Sequence, residues 1–274
     1  MDFRQTTILD LTQQVQTGQT SCKALVTAAL QNIHRLNPVI NAFCAVDEAR
    51  ALDEAAKVDQ RLAAGEPLPL AGIPFGVKDL EDAQGYITTF GSAFHTEDAP
   101  ALEDSELVRR LRAAGAIVVG KTNTPEFGYK GKTDNVPFGI TKNPWDVTRT
   151  PGGSSGGSSS ALAAGMVPLA TGSDGGGSIR IPAALCGLSG IKTSQGRVPN
   201  GGPKPTGSGL LTVKGPMTRR IRDAAFVLDQ CIGAEPTDIF SLPAPNAPWA
   251  PQLDGTLPES VIWSPTMGIT SCDA

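Results

Sequence analysis

Residues 149–165 read RTPGGSSGGSSSALAAG, and the fold turns on whether this run is a linker or part of a domain interior. Gly/Ser-rich stretches ordinarily connect self-sufficient segments, so the flanks decide. From Ala71 onward, short apolar runs alternate with helix-like stretches, punctuated by Gly and Pro. Strands are expected at 73–77, 116–119, 167–171 and 188–191, and helices at 105–114, 158–166, 178–185 and 224–232. The alternation passes through the quoted run, which predicts a layered α/β domain, helices covering a sheet, with 149–165 inside it.

The ends read differently. Residues 1–65 form an N-terminal helical segment, with one amphipathic stretch opening at 6–11. A second helix spans 21–35, with Leu25, Ala28, Ala29 and Ile33 at helical spacing, Ser21 as N-cap and Pro38 as its stop. A third, over 47–64, ends at Gly65. Residues 71–233 carry the alternating pattern and the motifs, and 234–274 are a Pro-rich loop followed by an apolar strand at 261–263. That strand has nothing after it to cover it, so the expectation is one domain over 1–274 that stops before its sheet is complete.

Composition excludes several classes. Of 274 residues, 40% are hydrophobic and 18% charged, the net charge is −4, and no cluster of Lys or Arg stands out. A general nucleic-acid partner is excluded, because binding one needs a positive footprint. The five cysteines are scattered without C-x-x-C spacing; they predict free thiols in a reducing compartment, not zinc or disulfides. No signal-peptide core or membrane-length apolar run is present, so the expected setting is cytoplasmic.

Two motif matches mislead. Gly115-AIVV-Gly120-Lys121-Thr122 satisfies G-x-x-x-x-G-K-[ST], but its intervening residues are themselves an apolar strand, whose amides pair with neighbours and cannot cradle phosphate. Gly152-Gly153-Ser154-Ser155-Gly156 satisfies the G-x-S-x-G nucleophile elbow, yet the two histidines, His34 and His95, both precede Ser154. The elbow needs its His after the serine. What remains is a pair of glycine-framed serines, Ser154 and Ser178. The glycines before Ser178 free consecutive N–H groups that can face one spot, at the expected start of a helix. A serine nucleophile needs a base, and with histidine scarce a lysine can serve. Lys78, at the end of the 73–77 strand, is the lysine that stands apart. The residues alone leave open whether it acts as that base, snorkels to solvent or pairs with Asp79.

Taken together these segments resemble the amidase signature family. GIPFGVKD (72–79) is similar to its lysine segment, GKTNTPEFG (120–128) and TKNPWD (141–146) to its connecting blocks, and PGGSSGGS (151–158) and GSDGGGSIRIP (172–182) to the signature itself. The resemblance runs from near the N-terminus to about residue 233. It implies a mixed β-sheet covered by helices, with the C-terminal part of the domain missing from this sequence. It also implies a Ser–cis-Ser–Lys triad: Ser178 as acyl-forming nucleophile, Ser154 as relay after a cis peptide bond, and Lys78 as base. Gly175, Gly176, Gly177 and Ser178 would supply oxyanion N–H groups, Ser155, Asp174 and Arg180 would brace the loops, and Gly128 would adjoin substrate. The implied activity is hydrolysis of a small-molecule amide with no metal or organic cofactor, on a chain for which a homodimer is compatible. Two other readings stay open: the amidase component of a glutamyl-tRNA amidotransferase, and a non-catalytic remnant. The stretch RVPNGGPKPT (197–206) departs from the segment such amidotransferase components carry there, which favours a stand-alone amidase.

Overall fold

The structure is a computed structural model that describes residues 1–201, 211–255, 259, 260, 262, 264 and 268. Helix α1 (Ile8–Gln16) starts at a capping box in which the Thr7 hydroxyl accepts from Asp10 N and the Asp10 carboxylate accepts from Thr7 N. Helix α2 (Cys22–Ile40) is capped by Ser21, as its sequence predicts. It does not stop at Pro38, however: the proline sits inside its last turn, and the helix ends at Asn41 in the left-handed conformation. A proline this close to the C-terminus removes only one intrahelical donor, and the turn survives the loss. Helix α3 (Glu48–Ala63) is capped by the Asp47 carboxylate accepting from Arg50 N.

Strands β1 (Phe43–Val46), β2 (Pro74–Lys78), β3 (Ile117–Thr122), β6 (Leu169–Asp174), β7 (Ser189–Gly190) and β8 (Val213–Thr218) form one mixed sheet, ordered β1-β3-β2-β6-β8-β7. A separate two-stranded ribbon joins β4 (Asp134–Asn135) and β5 (Gly139–Ile140). The centre of the large sheet, β3-β2-β6, is parallel. Parallel neighbours need a crossover: helix α4 (Glu106–Ala113) lies between β2 and β3 in the chain, and α5 (Gly156–Ala163) between β3 and β6. Every residue of these three strands is buried, the condition of a parallel sheet covered on both faces. β1 and β8 were not evident from the sequence. β1 is only four residues long, and β8 carries Gly215 and Pro216 in its middle, both poor strand formers.

The stretch 151–163 is buried at every position, so it is no linker. α5 is built almost wholly from small residues because its neighbours approach closely. A Cβ on Gly157 would lie 2.3 Å from the backbone N of Asn123, and one on Gly156 would lie 2.1 Å from Thr133 Oγ1. Only glycine fits either contact. The buried serines of α5 are satisfied internally: Ser158 Oγ donates to Thr171 O at 2.7 Å, Ser159 Oγ to Gly156 O at 3.0 Å and Ser160 Oγ to Lys142 O at 2.9 Å.

After the sheet come α6 (Arg180–Cys186) and α7 (Ile221–Leu228). α7 ties back to the N-terminus, where Asp223 accepts from Ile8 N at 2.9 Å. The strand expected at 261–263, apart from Ile262, and residues 202–206 of the stretch RVPNGGPKPT lie outside the described residues.

Candidate active site

Lys78 is the last residue of β2, Thr122 of β3 and Asp174 of β6. The three parallel strands therefore deliver polar side chains to one place, at their carboxyl ends, where α/β sheets hold their sites. Lys78 is fully buried. Its backbone N–H donates to Thr171 Oγ1 at 2.9 Å. Its Nζ lies 2.7 Å from Ser154 Oγ and 3.0 Å from Ser173 Oγ. Burial pushes the ammonium down to about 7, against the opposing pull of the Glu81 and Asp174 carboxylates. An amine in this position is poised between proton donor and proton acceptor near neutrality.

Asp79 does not pair with Lys78. Its carboxylate faces Lys121 Nζ at 3.0 Å and also accepts from the Thr89 hydroxyl. Lys121 completes its bonding on Glu81 O at 2.8 Å and Thr88 Oγ1 at 2.9 Å. The apparent phosphate-loop lysine is thus a buried structural cation on a strand.

Ser154 follows a cis Gly153–Ser154 peptide bond and is 2% exposed. Its carbonyl accepts from Thr124 Oγ1 at 3.1 Å. Next to it, Ser155 N donates to Ser178 O at 3.2 Å, which joins the two glycine-framed serine loops directly. The Ser155 hydroxyl lies against the Ser173 backbone, accepting from its N–H at 3.4 Å. Gly128 abuts the same centre, since a Cβ there would stand 3.3 Å from Ser154 Oγ and 2.7 Å from Leu80 Cδ1.

Asp174 organises the turn that carries Ser178. Its carboxylate accepts from Gly177 N at 2.7 Å, from Ile179 N at 3.2 Å and from Arg180 N at 3.3 Å. The Arg180 guanidinium binds it in a fork, at 2.9 and 3.0 Å. Burial raises this carboxyl, but the Arg180 fork and the three N–H groups outweigh it and hold it at about 2. The Gly177 N–H, expected from the sequence to face an oxyanion, is instead taken by Asp174, a charged acceptor only three residues back. No hydrogen bond among the described residues takes up the N–H of Gly176 or Ser178. Gly175 and Gly176 are exposed and Ser178 is half-buried, so this turn faces outward while Lys78 and Ser154 lie beneath it.

Ser173 was missed from the sequence. A signal was present: Thr171 and Ser173 are two apart on one strand, so both side chains stand on one face, and both contact Lys78. Thr124, which holds the Ser154 carbonyl, had no comparable signal.

A sequence model of the family described as Amidase matches residues 24–262. The chain is 49% identical over 212 residues to the "Putative amidase AmiB2" of Mycobacterium tuberculosis, covering 77% of this chain and 45% of that protein. It is 48% identical over 227 residues to the "Putative amidase AmiA2" of the same species, covering 83% of this chain and 46% of that one. A glutamyl-tRNA(Gln) amidotransferase component from Roseiflexus castenholzii is 42% identical over 253 residues, covering 92% of this chain and 51% of that one. Among solved structures, a bacterial aryl acylamidase of the amidase signature family superposes with a TM-score of 0.84 at 34% identity, over 90% of this chain and 51% of that chain. The peptide amidase of Stenotrophomonas maltophilia superposes at 0.80 and 33%, over 91% and 53%. The chain spans about half the length of the relatives it matches.

Proposed function

The chain belongs to the amidase signature family, and on that premise we propose that it hydrolyses the C–N bond of a small-molecule carboxylic amide through an acyl-enzyme on Ser178. The observation that carries this reading is the buried contact of Lys78 Nζ with Ser154 Oγ at 2.7 Å. A serine hydroxyl ionises too reluctantly to attack an amide unless a base removes its proton. Neutral Lys78 takes the proton of Ser154, Ser154 takes that of Ser178, and Ser178 Oγ attacks the carbonyl carbon. The negative charge that builds on the carbonyl oxygen meets the N–H groups of Ser178, Gly176 and Gly175. The relay then runs backwards: the proton held by Lys78 returns through Ser154 to the leaving nitrogen, the amine departs, and water cleaves the ester by the same route. Asp174 and Arg180 hold the Ser178 turn in register, and Gly128 leaves the space beside Ser154 open. We read the setting as cytoplasmic.

The test is labelling of the 274-residue chain with a fluorophosphonate, which phosphonylates activated serines. Ser178 is expected to carry the adduct, and Ser178→Ala to abolish both labelling and turnover with the circular dichroism spectrum unchanged. Unchanged amide hydrolysis by Ser178→Ala would overturn the assignment. The similarity to a glutamyl-tRNA(Gln) amidotransferase component makes glutamine a necessary substrate control. Hydrolysis of glutamine in strong preference to alkyl and aryl amides would favour that second reading.

A further inference from the structure

Phe90 and Phe127 are bulky residues in the left-handed backbone region, at φ +55° and +49°. That conformation is an outlier for a large side chain, strained unless its surroundings hold it. Each precedes a glycine that is also left-handed, Gly91 at +64° and Gly128 at +71°. The two turns are locked together by Phe127 N donating to Phe90 O at 2.7 Å. The result is a stack: the two rings lie 6.2 Å apart at 23°, and the His95 imidazole stands edge-on to both, at 5.4 and 6.0 Å. His95 is steadied by Asp98, 2.8 Å from Nδ1.

This strain does not serve core packing, because Phe127 is 54% exposed. Its position in the chain indicates what it serves, since the next residue, Gly128, abuts Ser154 Oγ. We propose that the Phe90–His95–Phe127 stack is the specificity wall of the site, receiving a flat aromatic substituent on the scissile amide. The inference rests on the amidase reading. Two strained turns hold three rings in place, Phe127 one residue along the chain from the glycine that abuts Ser154 Oγ, so little ordering remains to be done when a planar group stacks on them. An alkyl substituent offers no π-face and gains less.

The test separates binding from chemistry. In the Ser178→Ala background, which cannot acylate, binding of acetanilide, benzamide and acetamide is measured by ligand-observed NMR. The first two carry a ring on opposite sides of the amide, and acetamide carries none. At least one ringed amide should bind about tenfold more tightly than acetamide, and Phe127→Gly should remove about five- to tenfold of that preference. Glycine adopts the same left-handed backbone without strain, so the melting temperature should not fall; a merely structural Phe127 would lower it. Phe127→Leu, which keeps apolar bulk without a π-face, should lose most of the same preference and serves if the glycine variant does not fold. Equal binding of ringed and ringless amides, or a preference untouched by both variants, would overturn the proposal. Ring-dependent binding, with the unsubstituted chain turning over none of these amides, would instead overturn the amidase reading.

Discussion

Lys78 and Lys121 lie on neighbouring central strands and are both fully buried, yet their partners differ in kind. In the β2–β3 register Val77 stands opposite Lys121 and Lys78 opposite Thr122, so the two lysines project to opposite faces of the sheet. Lys121 finds a carboxylate, Asp79, and fills its remaining bonds with a carbonyl and a hydroxyl. Lys78 finds two hydroxyls and, among the described residues, no carboxylate within ion-pair reach. A carboxylate can only accept a hydrogen bond from an ammonium, whereas a hydroxyl can also donate to a neutral amine. Burial with a counter-ion makes a structural pin; burial among hydroxyls leaves an amine that the proposed mechanism uses as its base.

Loss of Lys78 should show first in activity. Lys78→Ala should lower turnover on the order of 10⁴-fold while the chain stays folded, measured as steady-state amide hydrolysis beside a thermal melt. A loss under about tenfold would point to a different base. The next effect falls on stability: Lys121→Met leaves Asp79 buried without its cation and should cost about 3–5 kcal/mol in urea unfolding. Adding Asp79→Asn should recover part of that loss. If it recovers none, the pair is not what holds this corner.

Activity should also depend on pH through Lys78. Lys78 must be neutral to accept a proton, so kcat/KM should rise with pH through about 7 and then level off. Stability is linked to the same group. Between pH about 7 and 10.5 the unfolded chain holds a proton on Lys78 that the folded chain does not, so folding stability rises with pH across that window. Lys78→Met should flatten this slope and be the more stable protein below pH 7, a cost of function visible in the melting temperature. The smallest effect belongs to the brace. Asp174→Asn weakens the Arg180 fork and should lower turnover by about 100-fold through a displaced Ser178 turn. The Asp174 contribution to stability is full above pH 3.8 and lost as pH falls through about 2, so acid unfolding of the variant should lack that component.

Much of the architecture was legible in the chain itself. Hydrophobic periodicity located α3 and α4 closely, and Ser21 marked the start of α2, because these signals are local: Ser21 and Gly65 act on their own helix termini. Pro38 misled because a proline's effect depends on its distance from the helix end, which tertiary packing of α2 extends. β8 was hidden by Gly215 and Pro216, whose strand conformation is imposed by pairing with β6 along its whole length.

The two serines and Lys78 could be picked out from residue chemistry alone: glycines framing hydroxyls, scarce histidine, and a lysine closing an apolar strand. Which partner each would meet could not. The Lys78–Ser154 contact joins residues 76 positions apart, and Lys78–Ser173 joins residues 95 apart. Alternation along a strand says which side chains share a face, not what lies across from them. Only the parallel ordering of β3, β2 and β6 set Lys78 among hydroxyls, gave Asp79 to Lys121, and buried residues 151–163 of the apparent linker RTPGGSSGGSSSALAAG against the sheet.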